Sequence, residues 1–352
     1  MLNKLMRLAV SVVLLTRLAC RTDWSKVQAG FVDLRWEYWM AAVGLLILAQ
    51  FVSALRWKYY TDRLLAPHSV GQLTGFNFIG MYFNLMLPTS VGGDVVRAWY
   101  LDRQSGRWLP AFASVLLDRL NGLLVLVALA CLAVTLSPLE LPSWITWSVW
   151  SIAGCGMFGL AGLLLLTRRA SRREPDVPQR EGMEPDNESR PAGKLAQLRM
   201  MLDIFCLPRI LVGTLVLSLF VQAANVLVVW LIGQALHAPI PTAYYWVLVP
   251  MVSLLTLLPI SVNGMGVREE ATVLFLAPLG IAEGTALTLS VLWFAAHASV
   301  SLCGGAVYLF GHFPKPETPA QTPAGAHTRE VTCGSLGSDS DQGRTGQHRQ
   351  AA

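Results

Sequence analysis

The stretch "LPTSVGGDVVR", Leu87–Arg97, places a proline, two glycines, an aspartate and an arginine inside a long apolar region. A second stretch, "LPISVNGMGVR", Leu258–Arg268, shares Leu, Pro, Ser, Val, Gly, Val and Arg with it at seven of eleven positions. Proline cannot continue a helical hydrogen-bond ladder, and Gly92–Gly93 allow a sharp reversal. Each string therefore reads as a break between two helical arms.

The surroundings set the class. The chain has 352 residues, 54% hydrophobic and 14% charged. A soluble protein carries charge on about a quarter of its residues. The charges here are clumped between long apolar runs, the mark of a polytopic helical membrane protein. Spans are expected at Leu5–Cys20, Trp36–Leu55, Leu109–Leu136, Trp144–Thr167, Ile210–Ala235 and Ala286–Phe310. The first could pass for a signal peptide, but Arg17 before "LAC" spoils the cleavage pattern, and it reads as an uncleaved span.

The net charge of +5 does not point to nucleic acid, because most Lys and Arg lie beside apolar spans, where they orient the chain and can touch anionic lipid. The six cysteines, Cys20, Cys131, Cys155, Cys206, Cys303 and Cys333, are isolated, so neither a disulfide framework nor a metal site is expected, and no cofactor.

Basic residues fix an orientation. "RWKYYTDR" (Arg56–Arg63), the Arg103–Arg107 turn and the block from Arg168 are basic, whereas Ser137–Ser143 and Leu236–Thr242 hold no Lys or Arg. The basic side reads as cytoplasmic, with both termini inside. The segment Arg21–Arg35 is an exception, with three basic residues on the outer side. Under this orientation Leu73–Leu101 and Tyr244–Leu279 each return to the face they entered from. Each is drawn as a re-entrant hairpin broken at its Pro/Gly string. From Gly93 to Leu101 the return arm climbs roughly 13 Å, about half the hydrocarbon thickness.

The expected fold is an all-α polytopic membrane protein of six spanning helices plus two re-entrant hairpins, about eight membrane segments, in an inverted-topology repeat. Residues 1–136 form the first half, with its hairpin near 73–101. The second half starts with the span 144–167 and continues over 210–310, with its hairpin near 244–279. Residues 168–209 form a cytoplasmic polar linker ending in the amphipathic piece "KLAQLRMMLDIF". Residues 311–352, rich in Pro, Gly, Ser and Thr, read as a disordered cytoplasmic tail. No room remains for a soluble catalytic domain.

The strings also carry the candidate chemistry. A helix starting near Gly93 points N–H groups inward, and a helix N-terminus attracts anions. Arg97 follows one turn later, as Arg268 does in the second hairpin. Two such ends meeting from opposite sides make a phosphate cradle. Candidate substrate-binding residues are Ser90, Gly92, Gly93, Asp94 and Arg97 in one hairpin, and Asn263, Gly264, Gly266, Arg268 and Glu269 in the other. Asp118 and Arg119 join them, because "LLDRLNG" places both well inside a span. The competing reading is a pair of hinges with satisfied charges. Asp94 would cap its own helix and pair with Arg97, and Glu269 or Glu270 would neutralise Arg268. Intramembrane charge is costly enough to favour function. Asn77, Asn84, Gln222, Asn225 and His297 read as interhelical hydrogen-bond partners.

"NLMLPTSVGGDVVRAWYL", then "SVLLDRLNGL" and "LLPISVNGMGVREEA", resemble the lysylphosphatidylglycerol synthase transmembrane region, a flippase-like family, over roughly residues 5–312. The resemblance implies a bacterial or archaeal inner-membrane protein related to the lipid-flipping half of the multiple peptide resistance factor. The positions it carries over are Pro88, Gly92, Gly93, Asp94, Arg97, Asp118, Arg119, Gly264, Gly266, Arg268 and Glu269. The chain departs from the full synthase in lacking its soluble aminoacyl-transfer domain, so lysine transfer is not expected. The first expectation is a transporter of a phospholipid or other polar lipid, not an enzyme. The alternatives are an intramembrane transferase using Asp94, Asp118 or Glu269 as acid or base, and a non-transporting partner of a lipid-modifying enzyme.

Overall fold

The computed structural model describes residues 16, 33–87, 91–137, 142–171, 207–257, 261 and 263–311. Among them every regular element is helical. The helices are α1 (Trp36–Leu64), α2 (Val70–Met86), α3 (Gly92–Ser105), α4 (Trp108–Leu136), α5 (Ser143–Ser171), α6 (Pro208–Ala235), α7 (Thr242–Leu257), α8 (Val267–Leu276) and α9 (Glu283–Phe310), with a 3-10 turn at Ala277–Leu279. The expected span Leu5–Cys20 (Thr16 apart), the amphipathic piece of the linker and the tail beyond Gly311 lie outside the described residues.

Helices α1, α4, α6 and α9 are each long and apolar enough to cross a membrane. Their outward faces carry large exposed apolar side chains, among them Leu48 and Phe51 of α1, Leu132 of α4, and Val212 and Val216 of α6. Their interior holds buried polar groups instead, including Arg56, Asp118, Asn121, Thr214 and Ser218. A soluble protein does not expose apolar patches of that extent. Apolar groups outside and paired charges inside are what a lipid solvent selects, and the chain is a multi-pass membrane protein.

Local sequence explains the boundaries. Ser69 and Gln72 form a capping box that starts α2. Helix α2 ends at Met86 and α3 starts at Gly92, and α7 ends at Leu257 and α8 starts at Val267, so both Pro/Gly strings fall at helix boundaries. Gly106, at φ 63°, ends α3 in the left-handed conformation that glycine adopts without strain. Pro208 begins α6, where its missing N–H costs nothing.

One boundary corrects the sequence reading. The stretch Arg56–Arg63, expected as a cytoplasmic loop, is the last two turns of α1. Trp57, Tyr60 and Leu64 continue its buried face, at helical spacing. Arg56 is thereby carried into the interior, where it is 6% exposed.

Helices α1 and α6 pack along each other. Helix α2 lies on α3 and on α9, and α7 lies on α8 and on α4. The α2–α3 contact is backbone-close. A methyl group on Gly93 would stand 2.0 Å from the carbonyl oxygen of Gly80. Contact between α2 and α9 is equally close, because a methyl on Gly304 would meet the Phe78 carbonyl oxygen at 2.0 Å. Small residues that let backbones touch are the usual means of packing helices in lipid, where no hydrophobic force draws them together.

Candidate functional site

A cavity of about 460 Å³ opens between the helices. Side chains from both halves of the chain line it: Arg56 of α1, Arg97 of α3, Asp118 and Arg119 of α4, Arg268 of α8 and His297 of α9. Two residues beside the breaks, Leu85 near the end of α2 and Leu257 at the end of α7, line it as well.

Asp118 is its buried centre, with 1% of its surface exposed. Its Oδ1 accepts from Arg56 Nε at 2.8 Å and its Oδ2 from Arg97 Nη2 at 3.3 Å. Arg56 also donates through Nη1 to Ser218 Oγ of α6, at 2.9 Å. Arg97 lies over the Trp57 ring, with its Cζ 4.1 Å from the ring centroid. Its Nη1 is 3.6 Å from Asp94 Oδ1. Its Nε is buried without a hydrogen-bond partner among the described residues. The guanidinium reaches this place because Gly80 has no side chain, since a methyl there would meet Arg97 Cγ at 2.7 Å.

Asp94 does not cap its own helix. The residue before α3 is Val91, which makes no side-chain cap, and the Asp94 carboxylate is gripped from α4. Arg119 Nε donates to both of its oxygens, at 3.1 and 3.0 Å, and Arg119 Nη2 to Oδ1 at 2.9 Å. This fork geometry is the strong form of an ion pair. Asp118 and Arg119, adjacent in sequence, thus serve different partners on different sides of α4.

The second string is built in a similar manner. Asn263, Gly264 and Gly266 have φ values of 51°, 73° and 84°, a left-handed turn that leads into α8. Glu269 Oε2 accepts from the Gly266 N–H at 2.7 Å, and its Oε1 accepts from Arg268 Nη2 at 3.1 Å. Arg268 stacks on Phe294, 4.7 Å from the ring centroid. Glu270 does not line the cavity.

The structure thus brings Arg97, Asp118, Arg119, Asn263 and Arg268 to one cavity wall, with Asp94 and Glu269 immediately behind. Gly92, Gly93, Gly264 and Gly266 shape the turns and are not part of the lining. Pro88 and Ser90 lie outside the described residues. Two features differ from the sequence expectation. The helix starts do not offer open amides at these positions: Asn84 Oδ1 takes the Gly93 N–H at 2.7 Å, and Glu269 takes that of Gly266. The positive groups that face the cavity are guanidiniums. The second feature is Arg56, which sequence reasoning assigned to a loop. The apolar spacing of Trp57, Tyr60 and Leu64 is the signal that could have found it.

The polar residues expected as interhelical partners divide. Gln222 Nε2 donates to Gly122 O of α4 at 3.0 Å, and Asn77 Nδ2 reaches Gln50 O of α1 at 3.5 Å. Asn84 ties α2 to α3. Asn225 and His297 bond carbonyls of their own helices, Val221 and Trp293. All five also border the cavity.

The family model described as the lysylphosphatidylglycerol synthase TM region matches residues 4–305, which is most of the chain. The protein belongs to that family, a membrane family associated with lipid. No individual curated protein matches the chain.

Proposed function

We propose that the protein is a lipid transporter of the flippase type, which holds a polar headgroup between its two broken hairpins while the acyl chains stay in the bilayer. The observation that carries this reading is the convergence of Arg97 and Arg268, from equivalent positions of the two strings, on one cavity. Non-helical backbone at membrane depth is tolerated where it is buried or lines a wet cavity, and both breaks adjoin this one.

The packing supports an inverted-topology repeat in which α1–α4 correspond to α6–α9. Contacts of α2 with α9 and of α7 with α4 are exchanged images of each other. The pairs α1–α2 and α6–α7, α3–α4 and α8–α9, α1–α4 and α6–α9, and α1–α9 and α6–α4 are images too, and α1–α6 maps onto itself. In this reading α2–α3 and α7–α8 are re-entrant hairpins entering from opposite faces. The protein sits in a bacterial or archaeal inner membrane with both termini cytoplasmic. Rocking one half against the other alternates access to the midplane.

Arg97 and Arg268 hold the headgroup phosphate, and Asp94, Asp118 and Glu269 set the charge around it. All three carboxylates accept from guanidinium or backbone donors, which supports a charge-setting role over that of an acid or base in an intramembrane transferase. The test is translocation of a labelled phospholipid in vesicles reconstituted with the pure protein. Wild type moves lipid, and Arg97→Gln and Arg268→Gln each reduce the rate at least to about a hundredth, the scale of losing a buried charged contact. Arg268→Gln is the cleaner variant, because Glu269 keeps its bond to the Gly266 amide. Normal movement in that variant, or a new lipid product detected by mass spectrometry, refutes the reading.

A further inference from the structure

We infer that the cavity selects a lipid whose headgroup is a phosphodiester monoanion without a cationic substituent, and disfavours zwitterionic and aminoacylated headgroups. This rests on the transporter reading for the place of the headgroup, and on charge accounting for its chemistry.

Four guanidiniums border the cavity, those of Arg56, Arg97, Arg119 and Arg268. They face three carboxylates: Asp118 in the wall, and Asp94 and Glu269 behind it. The cluster keeps one net positive charge. A single negative charge brings it to neutrality, and the Arg119 side chain, 47% exposed, lines the cavity where such a charge would sit.

The hydrogen bonds point the same way. Every oxygen of the three carboxylates already accepts from a guanidinium or a backbone amide. An incoming ammonium would share these acceptors with the guanidiniums already on them, and it adds charge of the sign already in excess. Donors are the unspent resource. Arg97 lines the cavity, and its Nε, enclosed by the protein, has no acceptor among the described residues. Each guanidinium carries five N–H donors, and a phosphodiester oxygen can accept from those of the lining arginines. The remaining wall mixes apolar side chains, such as Leu126 and Phe294, with neutral polar ones, of which Gln50, Ser53 and Ser253 are available to an uncharged alcohol. The volume, about 460 Å³, is in the range of small-molecule sites and admits a headgroup.

The experiment uses the full-length protein in nanodiscs, with binding measured by native mass spectrometry. The probes are phosphatidylglycerol, phosphatidylethanolamine, the lysyl ester of phosphatidylglycerol, and soluble glycerophosphoglycerol. Phosphatidylglycerol is expected to bind about tenfold or more tighter than either amine-bearing lipid, the size of effect one uncompensated charge produces in a poorly screened site. Glu269→Gln is the second variant, chosen because a gain cannot come from misfolding. Its amide oxygen still accepts the Gly266 N–H, but Arg268 loses its counter-ion. Phosphatidylglycerol binding is expected to tighten severalfold in it and to weaken in Arg268→Gln. Equal or tighter binding of the lysyl ester, weakened in Arg268→Gln, overturns the inference and leaves transport intact. Selective phosphatidylglycerol binding without translocation upholds the inference and removes the transport reading. If soluble glycerophosphoglycerol binds as well as the lipid, the phosphodiester selection stands and the ligand comes from solution.

Discussion

Asp118→Ala will lower the stability of the protein by about 3–5 kcal/mol, the cost of leaving buried charges without their partner. The loss is large because one carboxylate serves two guanidiniums. Arg56 and Arg97 are 6% exposed each, and both lose their bond to it. Helices α1 and α3 would then bring two like charges together around an empty centre. Asp118→Asn keeps an acceptor for one of them and is expected to lose less. Unfolding in detergent micelles measures both, and a loss below about 1 kcal/mol, the range of exposed pairs, would show that Asp118 does not hold these helices together.

Gly93→Ala will separate α2 from α3 and remove most lipid translocation. The added methyl would stand 2.0 Å from the Gly80 carbonyl oxygen, which is backbone and cannot rotate away. Overpacking of this kind costs typically about 1–3 kcal/mol, and moving α3 also carries Arg97 off its Trp57 platform. Gly154→Ala in α5 is the control, because nothing lies within 4 Å of its added methyl. There the change should be neutral or stabilising by roughly 0.5–1 kcal/mol, since alanine favours a helix over glycine. Equal thermal stability of the two variants in micelles would contradict the close α2–α3 contact.

The breaks were legible in sequence because a reversal needs particular residues, and proline, glycine and asparagine announce it. Spans need only apolarity, so similarity between the halves is confined to the two strings. The proposed correspondence of helices rests on packing contacts, which no residue type encodes. Asp118 and Arg119 were legible as charges inside a span, but their partners were not. Those partners come from α1 and α3, and only the helix crossings decide that Arg56 rather than Arg97 reaches Oδ1. Arg56 was misplaced because twenty apolar residues already suffice to cross the bilayer, which made the next basic residue look like a loop. The amides at the helix starts were overvalued for a similar reason. Whether Asn84 or a ligand takes the Gly93 N–H depends on a contact between α2 and α3.

The account stands on one headgroup occupying the space between both breaks. Single cysteines at Leu85 and Leu257, in a chain whose native cysteines are replaced, place one thiol beside each break and both on the same cavity. Their reaction rates with a small membrane-permeant thiol reagent are measured with and without saturating phosphatidylglycerol in nanodiscs. The account predicts that the lipid slows both sites together, about tenfold or more, and that Arg268→Gln abolishes the protection at both. Protection of only one site, or of neither at saturating lipid, contradicts a shared headgroup site.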